Sequence, residues 1–304
     1  MTGTMRAAVL HAAGDLRVEE REVPTPGPGE ALVRVAVCGV CGTDATEYDR
    51  GPVLTVPPVV LGHEFAGVVE AVGEGVEGLA PGAVVVCGAG VSCGRCKRCR
   101  EGRTNLCREY RTLGLQLDGG LAGHVVAPAG ILLDVTDSGL SLDTLGLAQP
   151  MAIAVHVVSR SGLRAGQDAV VVGVGGIGSF ITFAAAASGA RVVAVDRSPA
   201  RLELAQRLGA SEMVLAGEPL PDRLQQLGVE PDVLFEVSGT PAGLEAVRLL
   251  GTRPDWSDLA AEVLPLDGLV DDALAPLLRG GARQIKTLID PWIAAPRPAV
   301  HTRT

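Results

Sequence analysis

The segment Gly173-Val174-Gly175-Gly176-Ile177-Gly178 constrains this chain more than any other, because its G-x-G-x-x-G spacing stands between a strand and a helix. The apolar run Asp168–Val172 precedes it, and a helical stretch through about Ser188 follows. Gly173 permits a tight turn, Gly175 lets backbone approach a pyrophosphate, and Gly178 lets helix and strand pack closely. Gly176 and Ile177 then open a helix whose free amides and dipole favour phosphate. The next strand, Arg191–Val195, ends in Asp196, which lies 18 residues after Gly178. A carboxylate there accepts hydrogen bonds from a ribose diol and repels a 2′-phosphate, so NAD is expected over NADP. Arg197 is the opposing feature, since a guanidinium beside that carboxylate could support the phosphate.

Strand and helix continue to alternate after this turn. Ser198 and Pro199 read as the cap and first residue of a helix, with Leu202, Ala205 and Leu208 on one face and Gly209 as its stop. Met213–Leu215 and Asp232–Glu236 read as two more strands. Repetition at this interval predicts a parallel α/β sheet. The first half reads differently. Val33, Val35 and Val37 alternate with Arg34, Val59–Val72 holds a further strand, and glycines at 73, 75, 78 and 82 punctuate short extended pieces. The expected fold is therefore a β-rich domain joined to an α/β domain. The boundaries read as 1–154, with a cysteine lobe at 87–110, then 155–254, then a segment 255–304 that returns to the first domain. Within the last part, Ala242–Leu250 reads as a helix, 251–258 as a loop, Val263–Leu266 as a strand, Leu269–Leu278 as a helix and Gln284–Ile289 as a last strand. The proline-bearing tail after Pro291 reads as loose.

Composition narrows the function. Apolar residues make up 47% and aromatics 3%, so the core must be built from Val, Leu, Ile and Ala. A net charge of -9 argues against a general nucleic-acid surface. The apolar stretch Val170–Ala187 is broken by four glycines, which suits a strand-turn-helix better than a membrane span. The N-terminal MTGTMRAAVL lacks the basic and apolar regions of a signal peptide, and a cytoplasmic protein is expected. In such a compartment cysteines stay reduced.

Four of the seven cysteines, Cys93, Cys96, Cys99 and Cys107, follow C-x2-C-x2-C-x7-C. Thiolates at this spacing fold one loop around one tetrahedral zinc, and four of them leave no open position, so a structural site is expected. Common iron–sulfur clusters use other intervals. A second grouping is Cys41, in Cys41-Gly42-Thr43-Asp44, with His63 and Glu64, in Gly62-His63-Glu64. A thiolate and an imidazole make a good but incomplete zinc shell, while either residue alone would pass for core or turn.

Taken together, the four-cysteine lobe, the Gly-His-Glu segment and the glycine turn resemble the zinc-containing medium-chain alcohol and polyol dehydrogenases over about residues 5–250. The resemblance implies a GroES-like catalytic domain followed by a Rossmann-type domain, with two zinc ions and NAD. It implies that Cys41 and His63 bind a catalytic zinc, with Glu64 either a ligand or a close acid beside it. Thr43 matches the family's hydroxyl relay. Asp44 would orient His63 or the neighbouring backbone. Gln149-Pro150 stands where relatives carry Glu-Pro, so Gln149 could be a weak ligand, bond to a zinc-held water, or mark a subgroup that uses Glu64. Thr46 replaces a histidine frequent in polyol-type relatives, Tyr48 could line the substrate cleft, and His156 reads as a cleft or domain-junction residue. His124, Cys38 and Cys87 read as structural. After Leu250 the chain is roughly 40 residues shorter than a complete doubly wound sheet of this family needs. That shortening affects the usual dimer edge of a homo-oligomer, and it keeps a second reading open: a dinucleotide-binding remnant with a regulatory or interaction role. A zinc-linked oxidoreductase acting on another carbonyl or enone is a third reading.

Overall fold

The computed structural model describes residues 3–216, 220–235, 259–279 and 286–301. It divides into two compact units, Met1–Gln149 with Leu250–Thr304, and Pro150–Leu249. The helix expected at Ala242–Leu250 and the loop at 251–258 lie outside the described residues.

The first unit is built on antiparallel strands. β1 (Thr4–Ala12) and β2 (Asp15–Glu22) form a hairpin. β3 (Glu30–Gly39) follows, with Val33, Val35 and Val37 buried and Arg34 exposed, as its alternation requires. α1 (Gly42–Arg50) leads to β4 (Val59–Val60) and β5 (Glu64–Val72). β6 (Val84–Cys87) closes this run, and a lobe of β7 (Gly90–Val91), α2 (Lys97–Arg100) and β8 (Arg111–Thr112) projects from it. β9 (His124–Pro128), β10 (Leu132–Asp134) and α3 (Leu142–Leu145) complete the N-terminal part, and α4 (Ala148–Ser161) carries Gln149 in its first turn.

The second unit holds four parallel strands in the order β13-β12-β11-β14: β11 (Asp168–Val172), β12 (Arg191–Asp196), β13 (Glu212–Leu215) and β14 (Val233–Phe235). α5 (Gly176–Ala187), α6 (Pro199–Arg207) and α7 (Leu220–Gln226) alternate with them. Buried Val170, Val193, Val195 and Val214 form its core with Leu224 and Val229. The predicted alternation is present. One local detail differs: the Ser198 side chain makes no cap bond. Its backbone N–H instead donates to Asp196 Oδ1 at 2.9 Å. That carboxylate shapes the entry to α6 by satisfying the N–H of the residue before the helix, which is a different role from capping the helix amides.

The C-terminal segment rejoins the first unit. β15 (Glu262–Pro265) is followed by a π-helical stretch, Leu269–Leu274, and by α8 (Ala275–Leu278), where an ordinary helix was expected throughout. Pro276 lacks the N–H that an unbroken α-helical ladder would need at that point. β16 (Leu288–Asp290) pairs with β3, and β17 (Arg297–Pro298) pairs with β15, so eight described strands form one sheet. Leu264, Leu266, Leu269, Leu274 and Ile289 join the core that holds Val33, Cys38 and Phe65. Among the described residues no helix is long and apolar enough to cross a membrane.

The tail expected to be loose is pinned. Arg297 forks onto Asp143 at 2.7 and 2.9 Å, and the Val300 N–H donates to the same carboxylate at 2.6 Å. The Ser141 hydroxyl donates to Val300 O, and His301 Nε2 meets Ala260 O at 2.5 Å. The reason is the burial of Asp143, whose charge needs partners that the returning tail provides.

A second buried carboxylate shapes the loop between α1 and β4. Glu47 accepts backbone N–H bonds from Val53, Leu54 and Thr55 at 2.8–3.1 Å, and the Thr55 hydroxyl donates to it at 2.6 Å. Burial alone would push this carboxyl up, but the Thr55 hydroxyl and the three amides hold it below the ordinary range. Glu47→Gln is expected to cost about 1–3 kcal/mol in urea unfolding at neutral pH, because a carboxamide turns a donor towards donors. The carboxylate's contribution is complete above its unfolded value of about 4.3 and is lost as pH falls through the lower folded value. The gap between wild type and variant should therefore close in acid.

Candidate metal centre and nucleotide turn

Pairing of β3 with β5 sets Gly39 opposite Glu64 and Cys38 opposite Phe65. The residues just past these ends, Cys41 and His63, therefore emerge side by side. One ligand atom from each of Cys41, His63 and Glu64 lies within 4.8 Å of the others, and His63 and Glu64 are buried. Asp44 is fully buried at the start of α1. Its Oδ2 accepts the Cys41 N–H at 2.8 Å, and its Oδ1 lies 3.6 Å from His63 Nδ1. The first contact fixes the backbone at Cys41, while the second is an ion-pair approach longer than a hydrogen bond, and neither of its two atoms has a hydrogen-bond partner among the described residues. With Nδ1 turned to Asp44, Nε2 is the nitrogen left for a ligand.

Charge is concentrated here. Burial pushes the Asp44 carboxyl above the ordinary range, against His63 and the Cys41 amide. Burial disfavours a charged His63, but Asp44, Cys41 and Glu64 together outweigh it and raise the imidazole to about 10. Three acceptors around one imidazole make a place for a cation. Sulfur, nitrogen and carboxylate donors at this separation fit zinc, and the grouped donors among the described residues number three, which leaves a position of a tetrahedral shell open.

Thr43 is the second residue of α1, and its Oγ1 is 3.7 Å from Cys41 Sγ. Thr46 is exposed, and its hydroxyl donates back to Gly42 O at 3.0 Å. Tyr48 packs on the main core. Gln149 is half-buried. His124 sits at the head of β9 with Nε2 2.9 Å from Glu70 and its ring edge on Trp292, as suits a structural residue. Cys38 and Cys87 are buried, and burial pushes Cys87 up to about 12.

Lys286 was not anticipated. It is buried, and its ammonium forms an ion pair with Glu64 Oε2. Burial would push it down, but Glu64 first, then Cys41 and Asp44, hold it above the ordinary lysine range. In the sequence Lys286 falls inside the last expected strand, Gln284–Ile289, where a lysine passes for an ordinary strand charge, whereas the described strand is Leu288–Asp290.

The four-cysteine lobe also converges. Cys93, Cys96, Cys99 and Cys107 offer sulfurs within 4.8 Å of one another. The backbone N–H groups of Cys93 and Glu109 point at Cys107 Sγ from 3.2 and 3.3 Å. Backbone amides of Cys99 and Arg108 draw the Cys96 thiol down to about 6, and amides of Arg95 and Cys96 lower Cys93. Donors aimed at sulfur favour thiolates, which is the form that binds a metal.

In the second unit the glycine turn opens α5. Asp196 is buried, and its Oδ2 accepts the Val174 N–H at 3.0 Å, so the carboxylate fastens the turn to the end of β12. Arg197 is exposed. Arg201, from α6, lies 3.9 Å from Asp196 Oδ2, and its guanidinium stands over Gly175.

Comparison with known proteins agrees with this geometry. Residues 27–137 match the alcohol dehydrogenase GroES-like domain, and residues 176–252 match the zinc-binding dehydrogenase domain. The sorbitol dehydrogenase of Bacillus subtilis is 33% identical over 254 residues, covering 80% of this chain and 70% of that protein. The L-threonine 3-dehydrogenase of Pseudoalteromonas atlantica is 36% identical over 303 residues, covering 90% and 88%. Among solved structures, 2R,3R-butanediol dehydrogenase from Bacillus subtilis superposes with a TM-score of 0.84 at 27% identity, covering 94% of this chain and 99% of that one. The chain belongs to the zinc-type medium-chain dehydrogenase/reductase family, with an N-terminal GroES-like domain and a C-terminal Rossmann-like parallel sheet. It is an NAD-linked oxidoreductase of that family in general type.

The glycines of the turn are not equivalent. A Cβ at Gly178 would come within 1.9 Å of the Gly173 carbonyl oxygen, whereas one at Gly176 would meet nothing within 4 Å. Gly178→Ala is therefore expected to lower the thermal stability of the second unit by about 1–3 kcal/mol, as overpacking against backbone does. Gly176→Ala should be near neutral by the same thermal melt.

Proposed function

We propose that the protein is a zinc-dependent dehydrogenase that moves a hydride between a secondary alcohol or polyol and NAD. The observation that carries this reading is the meeting of Cys41, His63 and Glu64 within 4.8 Å, on the two strand ends that the β3–β5 register holds together. Zinc held there would supply Lewis-acid stabilisation of the substrate oxygen. Cys41 and His63 are the ligands in this reading, and Glu64 is the third donor. Asp44 keeps the proton of His63 on Nδ1, leaving Nε2 to bind. Thr43, beside Cys41, takes the proton of the substrate hydroxyl and passes it on. The lobe cysteines Cys93, Cys96, Cys99 and Cys107 hold a second, structural zinc.

Gly173, Gly175, Gly176, Ile177 and Gly178 form the turn assigned to the pyrophosphate. The buried acid Asp196, already holding that turn, supports NAD over NADP. Arg197 is the residue that would otherwise favour the phosphorylated cofactor. The substrate class is supported by the relatives: sorbitol, threonine and 2,3-butanediol each carry a secondary carbinol beside a second polar group.

Metal analysis with NAD-linked turnover across alcohols and polyols tests this. Wild type should hold two zinc ions per chain. Cys41→Ala and His63→Ala should each lose one of them together with turnover. Thr43→Val should keep both ions and lose turnover by roughly 10²-fold or more, as loss of a proton carrier does, while Thr43→Ser should retain most of it. Two ions with bound NAD and no turnover on any alcohol would favour the remnant reading instead.

A further inference from the structure

We propose that Lys286 is a built-in counter-charge to the candidate metal centre, and that its ammonium on Glu64 weakens the hold of Cys41, His63 and Glu64 on zinc. The inference rests on reading that cluster as a metal centre.

Lys286 is fixed in place rather than reaching in from solvent. Its own N–H donates to Leu259 O at 2.7 Å, and the next residue accepts the Val40 N–H at 2.9 Å. Leu288 then pairs with Gly39, and Gly39 pairs with Glu64 on its other side. The acid and the base thus flank one glycine across three neighbouring strands. A Cβ at Gly39 would come within 2.5 Å of Glu64 Oε2 and 3.0 Å of Lys286 Cε, so the bare backbone there is what lets the pair close. Lys286 is 6% exposed and Glu64 1%, so water screens the pair little.

Two effects then act in the same direction. A buried carboxylate without zinc needs a partner, and Lys286 provides one, which stabilises the zinc-free protein. An ion held by Glu64 also lies a few Å from a fixed positive charge, which destabilises the zinc-bound protein. Both lower zinc affinity. The opposite case, that Lys286 aids binding by orienting Glu64, is answered by the sheet. Glu64 is already placed by its register with Gly39 and by close packing against it.

The test is zinc affinity of the full chain, measured by chelator competition, with cobalt(II) absorption reporting the donor set. Lys286→Met should bind the second zinc on the order of tenfold tighter or more, the scale set by removing one nearby charge. It should keep the wild-type cobalt bands, and its zinc-free form should melt lower. Lys286→Arg, which keeps the charge, should stay near wild type. Should the methionine variant fail to retain the lobe zinc, Lys286→Gln makes the same comparison. Unchanged or weaker zinc binding in the neutral variant, with wild type holding two ions, overturns this inference and leaves the function above standing. A wild type that binds only the lobe zinc overturns both.

Discussion

The register of β3 against β5 is the constraint on which the candidate centre depends. Side chains alternate along each strand, so a slip of one residue would turn Glu64 to the opposite face and carry Cys41 away from His63. The register is held by burial on both sides. Val33, Val35, Cys38, Phe65 and Val69 all lie in one core, and any shift would expose some of them. The geometry of the candidate centre is therefore not maintained mainly by the centre's own interactions. It is imposed by apolar packing, which stabilises in bulk what the charges would destabilise locally.

That local cost is considerable. Asp44, His63, Glu64 and Lys286 are all buried within one neighbourhood. Two acids, one imidazole and one ammonium nearly balance, and the thiol of Cys41 adds a group that can become anionic. A pair of buried charges seldom improves stability over apolar residues of similar size. The burial of these groups is therefore not accounted for by the stability of the fold alone, and it fits the metal centre proposed for them.

Much of this was legible in the sequence wherever the cause is local. The glycine turn, its flanking strand and helix, and Asp196 follow from short-range backbone rules. The lobe follows from cysteine spacing over fifteen residues, Cys93 to Cys107. Cys41, His63 and Glu64 could be named only because the segments around them resemble known proteins, since spacing alone left each open to a bland structural role. Lys286 and the pinned tail were not legible. Lys286 acts on a residue 222 positions earlier, and Arg297 on one 154 positions earlier, and no periodicity or motif encodes such distances. The π-helical stretch before Ala275 likewise reflects how the returning segment fits the core, which local propensity does not report.

These long-range contacts also order the parts of the chain. Cys41, Thr43, Asp44, His63 and Glu64 lie within 24 residues, on or beside the ends of β3, α1 and β5, so these groups meet through short-range connections. Lys286 and Arg297 reach their partners only by closing loops of 222 and 154 residues. Loop closure over such distances costs entropy that apolar burial must offset. Leu264, Leu266, Leu269, Leu274 and Ile289 supply that burial. The positive charge beside Glu64 therefore depends on a hydrophobic segment that has no chemical role of its own.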